Sequence, residues 1–274
     1  MKLSNFDKYI PCVFFDKTFS IFSMVGDDAI SFLDRMSTNN IYKINSSRTV
    51  ITDNKGSIID ILTYKVIDEK NIIFVSDIGS DKSIEYMKKY IIIDDVDITS
   101  QERLNKFIIY INNSDDSLNL EKYRLINKHE YKNLTRYEIF LEDNEIDNFD
   151  KYSLKKISIQ EKNTLDIEMR HIKINESMIK ANPLELGLID IISFDKGCYV
   201  GQEVIARLHN YKKVSRELVP FYSKSELEIN SKIIFDSKSI GNVLSIQKKS
   251  DGFLGLSLVK KKYASYYPKK VINI

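Results

Sequence analysis

The 274-residue chain has no tryptophan, two cysteines, three histidines, four prolines and nine glycines. Each scarcity excludes something. Cys12 and Cys198 are too few and too far apart for the bridge framework of a small secreted domain. Neither stands in a CxxC or Cys/His pattern with metal-site spacing, so no metal ligand is expected. No segment approaches the ~20 apolar residues of a membrane-crossing helix. The opening Met1-Lys2-Leu3-Ser4-Asn5-Phe6-Asp7-Lys8 has no apolar run before its charges, and the first arginine is Arg35. Neither a secretory signal nor an Arg-rich transit peptide is expected, and a cytoplasmic location is. Charge of one sign is also lacking, since 41 basic and 39 acidic side chains leave a net +2. Nothing global draws such a chain to nucleic acid or to a membrane.

What is present is an ordinary globular composition, 43% apolar and 29% charged, enough for a sizeable core. Residues 12–24 read as a strand. Asp27 or Asp28 is placed to cap a helix from Ala29 that ends near Thr38-Asn39-Asn40. Thr49 to Thr52, the turn Asp53-Asn54-Lys55-Gly56 and Ile58 to Ile67 form a hairpin pattern. Asn71 to Val75 predicts a strand, about 80–90 a helix, and Ile91-Ile92-Ile93 a further strand. Strands are expected at Phe107 to Ile111 and Tyr137 to Leu141, with surface loops at 112–118 and 142–150. From about Leu218, short apolar runs divided by turn residues suggest a small β-barrel or sandwich. The fold class is α+β.

The densest chemical signal is Lys196-Gly197-Cys198-Tyr199-Val200-Gly201-Gln202-Glu203. Two glycines so close point to positive φ or a close backbone approach. The helix-forming run Gln202 to Leu208 follows, with Glu203 in its first turn. Cys198 thus precedes a helix N-terminus, with Lys196 two residues upstream, a setting that favours thiolate over thiol. The alternative is a small buried hydrophobe in a turn. His129, His171 and His209 read as surface or packing residues.

At this motif the chain resembles the YgfZ-type folate-binding proteins, relatives of the glycine-cleavage T-protein (aminomethyltransferase). Residues 196–203 fit every fixed position of their K-G-C-[FY]-x-G-Q-E signature. Val25 to Leu33, Thr38-Asn39, Asp53 to Asp60, Arg170, Asn182 to Leu188, Ile192 to Asp195, Val214 to Leu218 and Ile240 to Ser245 resemble further family segments, in order. Asn40 and Ala181 depart from the pattern. The resemblance implies a three-subdomain ring around a central tetrahydrofolate cavity. Residues 1–215 would form two intertwined folate-binding subdomains, and 216–274 a C-terminal β-barrel. The implied role is accessory: assembly or repair of iron–sulfur clusters in client enzymes, through Cys198. A monomer is expected, with folate and iron–sulfur client or assembly proteins as partners. By motif membership or position, Asp60, Arg170, Lys196, Tyr199, Gln202, Glu203 and Arg207 are the candidate cofactor contacts. Folate-dependent aminomethyl transfer is the alternative. It ranks second because the paired acids of true transferases reduce here to Asp60 beside Ile61.

Overall fold

The computed structural model describes residues 10–265, apart from 80, 102–103, 116–117, 119, 121–124, 147–148, 150, 176–177 and 179. The expected first strand is two strands, β1 (Cys12–Asp16) and β2 (Ser20–Val25), divided by a turn in which Asp16 accepts from the Thr18 amide and hydroxyl. They enter different sheets. Helix α1 (Ala29–Met36) follows, then β3 (Ser46–Thr52), β4 (Ile58–Asp68), β5 (Asn71–Ser76), α2 (Lys82–Lys88) and β6 (Asp97–Gln101). The second part comprises β7 (Asn105–Asn112), β8 (Leu125–Tyr131), β9 (Leu134–Leu141), β10 (Lys155–Lys156) and α3 (Ile159–Glu168). After the motif come α4 (Gln202–Asn210), β11 (Arg216–Ser223), β12 (Lys232–Phe235), β13 (Lys238–Lys249) and β14 (Gly252–Lys260).

Three sheets result. The first has the order β3-β4-β5-β2-β6, the second β10-β1-β7-β9-β8, and the third β11-β14-β13-β12. All named pairings are antiparallel except β1 with β10. The first sheet is covered on both faces. Ile51, Leu62 and Phe74 pack with Phe32, Leu33 and Met87 from α1 and α2. Their neighbours Val50 and Ile61 point the other way, onto Leu218, Leu254, Leu256 and Leu258 of the third sheet. Cys12 lies fully buried in the second sheet's core, where burial pushes its thiol up to about 12.

Two expectations need correction. Ile91-Ile92-Ile93 is not a strand. Arg35 and the backbone of Asp27 hold Asp94 and Asp95, the free edge of β2 is taken by β6, and Ile92 and Ile93 stand 84% and 95% exposed. The C-terminal unit is an open four-stranded sheet among the described residues, not a closed barrel. One face is committed to the first sheet, and the other closes over its own cluster of Val219, Phe221, Ile233 and Val259. Three strands and a helix among those named went unread: β6, β8, β10 and α3, although Ser158 and Glu161 form a capping box at the helix start.

A buried ionic cluster ties the second sheet to α3. The Arg136 guanidinium donates to Glu138 at 3.0 Å and to Asp166 at 2.8 Å. Lys106 pairs with Glu138 at 3.2 Å and Lys162 with Asp166 at 2.7 Å. Burial alone would raise the Glu138 carboxyl, but Lys106 and Arg136 hold it well below the usual carboxylate range. Removing one partner from such a cluster strands a buried charge. Arg136→Met is expected to cost about 3–5 kcal/mol, read as a lower urea midpoint with an unchanged m value.

Candidate functional site

The motif is stapled to the first sheet by contacts that explain most of its residues. Gly201 takes φ +83° at the start of α4, and a Cβ there would lie 2.4 Å from the Asp53 carbonyl oxygen. Its partner is the Asp53–Gly56 turn of the β3–β4 hairpin. Gly56, at φ +70°, lies against Val204 and Ile205 of α4. The Thr52 hydroxyl donates to the Val200 carbonyl at 2.6 Å, and Asn182 donates to the Gly56 carbonyl at 3.0 Å. Asn182 also caps the 3-10 turn Pro183–Leu186, whose Glu185 receives both the Nε and an Nη of Arg216 at 2.7 and 2.6 Å. Segments far apart in sequence thus meet in one joint.

Lys196 belongs to the same joint. Its ammonium donates to the carbonyls of Asp34, Ser37 and Asn39 at 2.6, 3.0 and 2.6 Å and pairs with the Asp34 carboxylate at 3.0 Å. Burial lowers its pKa and the Asp34 pairing opposes that. The ammonium therefore closes the end of α1, and the expected role beside the thiol is taken over by this anchoring. Tyr199 is buried with Ile192 and Ile205, its ring under the Lys196 ammonium; burial pushes its hydroxyl up to about 12. Gln202 opens α4, with its amide on the Tyr199 carbonyl. Glu203 and Arg207 are exposed on that helix.

Cys198 is different. It is exposed, in an irregular stretch four residues before α4. That excludes the buried-hydrophobe reading. Gly197 has neither a positive φ nor any atom within 4 Å of a built Cβ, so only Gly201 meets the expectation set for both glycines. His209 lies in the last turn of α4 and stacks on Phe194 with ring centroids 4.1 Å apart.

A cavity of about 480 Å³ opens where β3 of the first sheet meets β8 of the second. Ser47 and Arg48 come from β3, Asn127 to Glu130 from β8, Arg170 to Ile172 from the segment after α3, and Leu186 to Leu188 with Asp190 and Ile191 from the approach to the motif. Of the expected contacts only Arg170 lines it. Its backbone is left-handed at φ +54°, just past the end of α3, and its guanidinium lies 5.6 Å over the Tyr131 ring. Asp60 is fully buried in β4, where it accepts from the Ser76 hydroxyl at 2.5 Å and from the Ile61 and Ile78 amides. Burial raises it to about 6. Neither Asp60 nor Cys198 is among the residues lining this cavity.

Arg48, His129 and His171 were not expected in the cavity. Arg48 donates one Nη to Asp77 at 2.8 Å and to the Ile172 carbonyl at 3.0 Å. Its Nε, and Nδ1 of His171, have no hydrogen-bond partner among the described residues. Burial, then the Arg136 and Arg48 guanidiniums, push His171 well below the ordinary imidazole value, so it is neutral. His129 lies edge-on to it, ring centroids 5.1 Å apart, with its Nε2 bonded to the Met169 carbonyl. An arginine in the otherwise apolar-leading run Arg48-Thr49-Val50-Ile51 was the available signal, because a charge beside buried strand positions needs a reason.

Comparison with known proteins returns aminomethyltransferase-like relatives. No family model matches the chain. It is 24% identical over 281 aligned positions to an aminomethyltransferase of Thermosipho melanesiensis, covering 88% of this chain and 75% of that protein. A protein of Arabidopsis thaliana named "Putative transferase At1g60990, chloroplastic" is 41% identical over 86 residues, which are 31% of this chain and 20% of that protein. In three dimensions the chain is similar to the glycine cleavage system aminomethyltransferase T of Bartonella henselae, with TM-score 0.71, 13% identity, and coverage of 92% of this chain and 78% of that one. The chain therefore has an aminomethyltransferase-like α+β fold. Among the described residues no helix is long and apolar enough to cross a membrane.

Two outcomes test the joint. Gly201→Ala is expected to destabilise by about 1–3 kcal/mol, since both φ and space forbid a Cβ, whereas Gly197→Ala stays within about 0.5 kcal/mol. Thermal melts of the pair check this. Asp60 carries a pH signature. Its folded pKa lies above the unfolded one, so as pH rises from about 4 to about 6 the unfolded chain releases this proton first and the fold loses stability. Relative to Asp60→Asn, the wild type should lose up to about 3 kcal/mol between pH 4 and 7.5 in paired urea titrations.

Proposed function

We propose that this chain binds tetrahydrofolate in the 480 Å³ cavity, with its three sheets as the three units of a ring around that site. The folate-binding part would be 1–215, and 216–274 the unit that closes the ring. The observation that carries the reading is the cavity's lining within an aminomethyltransferase-like fold. A reduced folate needs an apolar wall for its ring, a few polar groups for the ring's edges and cations for its glutamate tail. Ile172, Leu186 and Leu188 offer the first, Asn127, His129 and His171 the second, and Lys128 and Arg170 the third. The mix of apolar, neutral polar and cationic side chains in the lining supports a fit to such a molecule. When bound, tetrahydrofolate would supply the one-carbon or redox-active ring chemistry, while these residues orient it and keep water from its edges.

In this reading Cys198 acts separately, as the thiol presented to macromolecular clients. Its exposure and its position outside the cavity lining support that. The client chemistry we favour is assembly or repair of iron–sulfur clusters. Aminomethyl transfer to tetrahydrofolate is the second reading, and the similarity to aminomethyltransferases favours it. Against it stands Asp60, buried in β4 with three donors and absent from the cavity lining, where a transferase needs a carboxylate within hydrogen-bond reach of the reacting groups.

Calorimetric titration with tetrahydrofolate is expected to saturate at micromolar concentrations or below. Cys198→Ala should bind folate as the wild type does yet fail to restore iron–sulfur enzyme activity in a strain lacking its YgfZ-type protein. Full rescue by Cys198→Ala would remove the cysteine role. Turnover with a glycine-derived donor, undiminished in Cys198→Ala, would install the transferase reading in its place.

A further inference from the structure

We infer that a basic groove at the C-terminal end of α4 docks an acidic segment of a partner protein, with an apolar side chain among its carboxylates, and brings that partner to Cys198. The inference rests on the reading of Cys198 as a thiol presented to macromolecular clients, and it names how they are recognised. The groove, of about 780 Å³, lies between α4, the 3-10 turns from Pro183 to Ile191 and the short helical turn Lys261–Ala264. Leu184, Ile189, Leu208 and Val214 give it apolar walls, and Lys212 and Lys261 stand in its lining. Lys213 and Lys262 follow these two in the chain, and Arg207 is exposed on α4. The Lys261 amide donates to the Ser215 carbonyl at 2.8 Å, which holds the second lysine pair beside the segment that carries the first.

Charge complementarity selects the partner. Arg207, Lys212, Lys213, Lys261 and Lys262 have no ion-pair partner among the described residues. Lys213 and Lys262 lie instead over the Tyr211 and Tyr263 rings, 5.5 and 5.0 Å from their centroids. Of the carboxylates on these segments, Glu185 is held by Arg216 and Asp195 by Lys43, and Asp190 lines the other cavity. Glu203 and Glu217 are left. A chain whose net charge is only +2 thus gathers unpaired positive charge at one place. Such a patch draws acidic surfaces and speeds their encounter, while the apolar walls give a partner's side chain a place to bury. A route leads from the groove to the thiol. His209 lines the groove and stacks on Phe194, and the chain from Phe194 to Cys198 keeps Phe194, Asp195, Gly197 and Cys198 exposed. Those four steps span at most about 14 Å, so an extended peptide of about eight residues reaches from the groove to Cys198.

The test is the rate at which Cys198 reacts with peptides of about eight residues, each ending in a cysteine held as a mixed disulfide with thionitrobenzoate. Cys12 is fully buried, so Cys198 is the thiol that reports. Its thiolate attacks the peptide sulfur, a protein–peptide disulfide forms, the old S–S bond breaks, and thionitrobenzoate leaves as the coloured thiolate. One peptide sets a leucine among aspartates and glutamates, a second replaces that leucine by serine, a third has lysines for the acids, and a fourth has the leucine without charges. The acidic leucine peptide is expected to react about tenfold or more faster than the uncharged one at low salt, and the two rates to converge at about 0.5 M salt. Lys212→Glu combined with Lys261→Glu reverses the sign at two exposed positions. That variant is expected to favour the lysine peptide and to react with the uncharged one as the wild type does. If it does not fold, the ranking of the peptides and its salt dependence decide alone. Equal rates for the leucine and serine acidic peptides overturn the groove as the seat. Equal rates for all four overturn the docking surface and leave the thiol reading standing, whereas no reaction with any of them overturns both. Stronger competition by an oligouridylate than by the free acidic peptide assigns the groove to nucleic acid and overturns a protein partner.

Discussion

The Lys196 ammonium is the contact on which the arrangement of the motif depends. A buried cation must find oxygens, and this one finds three carbonyls at the end of α1 together with the Asp34 carboxylate. Those of Asp34 and Ser37 are among the groups a helix end leaves without partners. One side chain thus completes α1 and fixes a segment 160 or so positions away in sequence. With the loop held there, Val200 reaches the Arg35 carbonyl and Thr52, and Gly201 can approach Asp53. The helix that follows then packs on the β3–β4 turn, and Cys198 is left on the outside.

A second constraint shapes the cavity. Glu138 on β9 is reached by Arg136, Lys106 and Asn127 of its own sheet and by Thr63 of the first sheet, at 3.4 Å. Charges so deeply buried persist only when compensated, and the compensation spans both sheets. Where the sheets meet, Arg48 and His171 line the cavity, while Nε of the one and Nδ1 of the other stay buried and without a partner among the described residues. The cavity follows from the joining of two ionic layers that satisfy themselves almost completely.

Local patterns were legible in the sequence where periodicity and turn chemistry agree. The β3–β4 hairpin and α1 follow from alternation, the Asp53–Gly56 turn and an apolar helical stripe. Ile91-Ile92-Ile93 has the composition of a strand, but strand formation needs a free edge, and β6 occupies it. Nothing local in residues 12–24 says that β1 and β2 part into different sheets. The site was legible in one half only. Lys196, Gly201 and Asn182 announced themselves as a motif, yet they serve mainly to build the joint. The cavity residues Arg48 and His171 come from unrelated segments, and their convergence exists only in the fold.

This division bears on how the motif should be understood. A residue pattern that persists as a unit need not be a reaction centre. Here the Lys196 side chain holds backbone and Tyr199 packs on Ile192 and Ile205, while Gly197, Cys198, Glu203 and the nearby Arg207 are exposed. Cys198 is thus displayed by a rigid joint rather than enclosed by a pocket. A thiol presented in that way can meet another macromolecule without any opening motion, while the cavity keeps a lining of its own that does not include Cys198. The two elements share the segment that runs from the cavity wall at Leu186–Ile191 into Ser193, whose amide is tied to Thr38. Two routes therefore join the cavity wall to the loop of Cys198: that segment, and the end of α1, where the Asn39 carbonyl accepts from Lys196 and its side-chain amide donates to the Arg48 carbonyl.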